Sequence, residues 1–96
     1  LVIPKEPVAS LHELSAEGGA ALGIALIKIS SAIVKATGIS NYNILQNNGA
    51  EANQAVPHVH FHIIPKPNKK EGLDISWTAK ELNSPENLVK AIQEGF

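Results

Sequence analysis

The chain contains no arginine, no cysteine and no methionine. Its positive charge comes from eight lysines against nine acidic residues, for a formal net charge of -1. A nucleic-acid-binding surface ordinarily presents a basic stripe with arginine in it, so that class is disfavoured. The missing arginine also removes the planar guanidinium fork from phosphate recognition. A phosphorylated ligand would have to be held by backbone amides, hydroxyls, imidazoles and helix N-termini. Without cysteine, a disulfide framework and a thiolate zinc site are both excluded. No charged leader with an apolar core opens the chain, and no apolar run approaches ~20 residues, so secretion and membrane spanning find no support. A cytoplasmic location is expected, extending to the nucleus in a eukaryote. The chain opens at Leu1 on an apolar run, as though entered inside a strand. Processing would explain this, as would residues 1–96 being the C-terminal major part of a single larger domain.

What is present suggests one small α+β domain. Hydrophobic residues make up 44% of the chain, which excludes a disordered polar polymer. Residues 1–4 read as a strand end closed by Pro4, and residues 11–14 as a short turn. Ser15 is a good N-cap for a helix over residues 16–37, whose stripe is Leu22, Leu26, Ile29 and Ile33. Gly38 supplies its stop. Ile24, Ile27 and Val34 widen the apolar surface beyond one face, so this helix should lie between two layers or meet a partner subunit. Residues 42–46 read as a strand, residues 47–54 as a polar turn region rich in asparagine, and the next segment as its antiparallel mate. Residues 66–72 are lysine-rich, a solvated turn or a weak positive rim. Residues 74–78 suggest a last extended piece, with Trp77 too large to leave exposed without a reason. Ser84 and Pro85 then start a short helix with Leu88, Val89 and Ile92 on its apolar side.

The chemistry concentrates in Pro57-His58-Val59-His60-Phe61-His62-Ile63-Ile64-Pro65. Strand period puts His58, His60 and His62 on one face, ~6.6–7 Å apart in sequence. A single histidine there would be an ordinary polar residue, but three in strict alternation call for more. Zinc is one candidate, yet the outer pair lies ~13 Å apart along the strand and Zn–N is only ~2 Å. The other is nucleophilic catalysis: His60 presents one ring nitrogen to phosphorus while the other is fixed by a hydrogen bond. His58 and His62 then orient it or donate to phosphoryl oxygens.

The segment His58-Val59-His60-Phe61-His62-Ile63-Ile64 resembles the signature of the histidine triad (HIT) family. Leu1-Val2-Ile3-Pro4-Lys5 resembles the family's preceding strand end, and residues 47–54 its Asn-rich loop. Pro65-Lys66-Pro67 and Glu71-Gly72 are similar to microbial or fungal members of its Hint branch, which act as purine nucleoside phosphoramidases. The resemblance covers nearly the whole chain. It implies a HIT-like antiparallel sheet, a long helix in a homodimer interface (residues 22–34) and a short C-terminal helix. It further implies a hydrolase or transferase of adenosine 5'-phosphoramidates and related adenylates that uses no metal or cofactor. His60 would form a nucleotidyl-histidine intermediate, with His58 and His62 supporting it and contacting the phosphate. Asn47, Gln54, Ala55 and Trp77 would complete the substrate-binding set.

The departures are specific. Pro7 stands where members often carry a fourth histidine, and His12 does not replace it. Ala55 stands where a serine hydroxyl commonly assists the leaving amine. The strands that supply much of the purine pocket in the family have no counterpart before Leu1. Two alternatives remain: a dinucleoside polyphosphate hydrolase, or a noncatalytic nucleotide-binding homodimer.

Overall fold

In the computed structural model, which describes residues 1–76, 78–81 and 85–96, the chain forms two helices and a two-stranded antiparallel sheet. Helix α1 is Ala16–Thr37. Its start is set from two directions. The Ser15 hydroxyl accepts from Gly18 N–H at 2.9 Å, and the Glu6 carboxylate accepts from Ser15 N–H at 2.9 Å. Two oxygens, one of them anionic, thus sit at the electropositive end of the helix. Gly38 ends it at φ 71°, donating to Val34 O, in a backbone region that disfavours side chains bearing a Cβ.

The buried stripe of α1 differs from the expected one at its middle. Leu22 and Ser30 are the buried residues of α1, whereas Ile29 is exposed. Ser30 tolerates this because its hydroxyl donates to Leu26 O at 2.7 Å, which leaves no polar atom unpaired. The outer face, with Ile24 and with Ile27 at 71% exposure, is covered by nothing among the described residues. Among the described residues no second layer encloses the helix. By length and composition alone α1 could also cross a membrane, although no uninterrupted apolar run in it approaches ~20 residues. Its interspersed glycine and serine residues break those runs without making the helix polar.

Strands β1 (Tyr42–Leu45) and β2 (His62–Pro65) pair with Ile44 opposite Ile63 and Leu45 opposite His62. The regular ladder is shorter than the alternation predicts, because residues 58–60 lie outside it. They are held instead by the first segment of the chain. Val2 and Phe61 exchange both backbone bonds at 2.8 and 2.9 Å, and Val59 N–H donates to Val8 O at 2.9 Å. Val59 is fully buried at the centre of this arrangement.

Beyond β2, Asp74–Ser76 and Thr78 form no strand, contrary to expectation, and Trp77 lies outside the described residues. So does Ser84, the expected cap of helix α2 (Pro85–Glu94). Leu88, Val89 and Ile92 do share one side of α2, but that side is exposed.

Candidate active site

Alternation places Val59 inward and the three histidines on the opposite face, where His58, His60 and His62 all line one cavity of about 490 Å³. Its other walls are Leu1, Ile3, Asn47, Asn53, Ala55 and Val56. The cavity is open and mostly apolar, with three imidazoles along one strip and two asparagines on the loop beside them, the form expected of a small-molecule site.

Two hydrogen bonds define the imidazoles. His60 Nδ1 lies 2.7 Å from the His58 carbonyl oxygen, and His58 Nε2 lies 3.0 Å from Pro4 O. A carbonyl only accepts, so the ring nitrogen in each pair carries the proton. Neutral His60 is therefore held with Nε2 unprotonated, and neutral His58 with Nδ1 unprotonated. His62 stands edge-on to His60, with ring centroids 5.1 Å apart at 74°. Among the described residues no cluster of three histidine and acidic side chains is arranged to hold a metal ion. A lone pair fixed by the backbone, beside two further imidazoles, is equipped to attack an electrophilic phosphorus.

The polar loop forms the rim. After β1 it turns through Gly49 into a 3-10 turn, Ala50–Ala52, and leaves it at Asn53 with φ 69°. Asparagine tolerates that left-handed conformation better than most residues with a Cβ. Asn47 faces the cavity, and its Nδ2 donates to Asn53 O across the loop at 3.5 Å.

Not every polar residue weighed from the sequence reaches the cavity. Gln54 does not line the cavity. Its Oε1 accepts from Gly49 N–H and its Nε2 donates to Ala9 O, both at 2.7 Å, so its carboxamide is engaged in holding the loop. None of the lysines following Pro65 lines the cavity, and Lys66 turns to Glu71 O at 3.0 Å and Asp74 at 3.8 Å. His12 sits in the 3-10 turn Leu11–Glu13, away from the cavity lining. Conversely, Leu1, Ile3, Asn53 and Val56 were not among the expected residues. For Leu1 and Ile3 the signal was available: alternation about buried Val2 sends both to the other face. For Asn53 and Val56 the signal was weak, since loop curvature decides what faces inward.

The HIT domain family model matches residues 1–69. The chain is 52% identical over 94 residues to the adenosine 5'-monophosphoramidase hnt1 of Schizosaccharomyces pombe, covering 98% of this chain and 66% of that protein. Among solved structures, a hypothetical protein from Leishmania major aligns with a TM-score of 0.79 at 47% identity, over 97% of this chain and 66% of the other. The histidine triad nucleotide-binding protein from Candida albicans gives 0.74 at 32% identity, over 97% and 69%. The chain thus spans about two thirds of the length of each of these relatives.

Proposed function

This chain belongs to the HIT domain family, and from that premise we propose that it hydrolyses adenosine 5'-phosphoramidates and related adenylates through a nucleotidyl-histidine intermediate. The observation that carries the proposal is the His60 Nδ1 contact with the His58 carbonyl, which leaves Nε2 unprotonated on a residue lining the cavity. In the first step Nε2 attacks phosphorus, the P–N bond to the leaving amine breaks, and the amine takes up a proton. In the second, water attacks phosphorus and returns a proton to the group that gave one to the amine, the P–N bond to His60 breaks, and the nucleoside monophosphate leaves.

His58 supports His60 through its main-chain oxygen, His62 contacts the phosphoryl oxygens, Asn47 binds at the rim, and Leu1, Ile3 and Val56 form an apolar wall for the nucleoside. Ala55 offers no hydroxyl to the departing amine. His62, whose ring makes no hydrogen bond among the described residues, is the side chain best placed to deliver that proton. The name of the fission-yeast relative supports the substrate class. We also read residues 1–96 as the major, C-terminal part of one HIT domain, acting in the cytoplasm. It pairs as a homodimer across residues 22–34, a reading supported by the uncovered isoleucines of α1.

The test is turnover of an adenosine phosphoramidate after chelation of metals, comparing the wild type with His60→Ala. Activity should survive chelation and fall by about a thousandfold or more in the variant. Equal turnover by the two proteins would remove His60 as nucleophile. Loss on chelation with rescue by zinc would replace the mechanism with a metal-dependent one.

A further inference from the structure

Asn48-Gly49 places a carboxamide next to a backbone nitrogen that no Cβ shields, the arrangement most open to cyclisation. In that reaction the Gly49 nitrogen gives up its proton and bonds to Asn48 Cγ. The bond from Cγ to the carboxamide nitrogen breaks, ammonia departs, and a five-membered succinimide remains. Water opens the ring at either carbonyl, leaving an aspartate linked through its α- or β-carboxyl group.

The loop is not built to do without either residue. Gly49 has φ 89° and ψ 152°, a region essentially closed to residues with a Cβ. Asn48 Oδ1 accepts from Leu11 N–H and from Gln46 Nε2, and Asn48 Nδ2 donates to Gln46 Oε1, each at 2.8 Å. An aspartate would set a carboxylate oxygen against that last acceptor. Both Asn48 and Gly49 are exposed, so the water that opens the ring is at hand.

We propose that Asn48-Gly49 is a latent succinimide site and that the Gln54 carboxamide is its guard. Gln54 Oε1 takes the Gly49 N–H at 2.7 Å, while Nε2 is anchored on Ala9 O at 2.7 Å. Gln54 N–H also donates to Gly49 O at 3.1 Å, so side chain and backbone together bind Gly49 from one side. The nitrogen that must attack is therefore committed elsewhere, and the carboxamide it would attack is held by Gln46 and Leu11. Escape from this restraint has a structural consequence. A β-linkage adds one backbone atom to the loop between Asn47 and Asn53, both of which line the histidine cavity.

Peptide mapping by mass spectrometry, with separation of the two aspartyl linkages, measures conversion at Asn48 during incubation at neutral pH. Three samples are compared: native wild type, wild type unfolded in urea, and Gln54→Met, with circular dichroism confirming that the variant is folded. Conversion should be slowest in the native wild type. It should rise roughly three- to tenfold in Gln54→Met, the range set by one hydrogen bond that must break before attack. Equal rates in native and unfolded wild type would overturn the proposal, as would a folded Gln54→Met protein converting no faster than the wild type. Should the variant not fold, hydrogen exchange at the Gly49 amide of the wild type decides. Protection of that amide supports the guard, and free exchange overturns it.

Discussion

The histidine cavity and helix α1 are opposite kinds of structure. Around the cavity there is little regular secondary structure, yet partners far apart in sequence hold it: Val2 with Phe61, Pro4 with His58, Val8 with Val59, Ala9 with Gln54 and Leu11 with Asn48. Helix α1 is 22 residues of unbroken helix with both ends capped, and most of its apolar surface is left uncovered by the described residues. Regularity and integration are thus separate properties. Local hydrogen bonding can complete a helix without fixing its place, while an irregular loop can be located by contacts that no local rule supplies.

The sharpest way to break this contrast is at Val59, the fully buried residue behind the histidine strip. Val59→Ala should cost about 1–3 kcal/mol by lost burial and an unfilled space, read as a lower denaturation midpoint. Because the histidines sit on the other face of the same segment, turnover should fall in parallel. A loss of stability with full activity would show that the strip does not depend on its backing.

A smaller effect is expected at the start of α1. Ser15→Ala removes the side-chain acceptor for Gly18 N–H but leaves Glu6 in place, so the cost should be about 1 kcal/mol in chemical denaturation. A loss above that range would mean that this end of α1 is tied to the cavity through Glu6 more tightly than the distances suggest.

The smallest expected change in stability is at Ile27, the most exposed isoleucine of α1. Ile27→Glu should alter the stability of the dilute protein by no more than about 0.5 kcal/mol. Sedimentation at higher concentration should separate it from the wild type, with the wild type self-associating and the variant not. Identical sedimentation of the two would remove residues 22–34 as an interface.

These differences follow what could be read from the residues. Helix α1 was legible to its ends because Ser15 and Gly38 act over one turn. The shared face of the three histidines was legible because strand alternation is local. The exchange of Ile29 for Ser30 was not, since the hydroxyl's bond to Leu26 O makes a polar residue acceptable inside and no periodicity shows it. Gln54 resembled a ligand-binding residue in sequence. Its bond to Ala9 spans 45 positions and depends on where two loops meet, which spacing does not encode.

The contact between His60 Nδ1 and the oxygen of His58 has one further consequence, for mutational tolerance. The acceptor belongs to the main chain, and every amino acid placed at position 58 would bring a carbonyl with it. A substitution at position 58 therefore removes the imidazole and its bond to Pro4 O, while the acceptor of His60 Nδ1 stays in the main chain. What His58 contributes to the cavity is thus separable by mutation from what it contributes to the tautomer of His60.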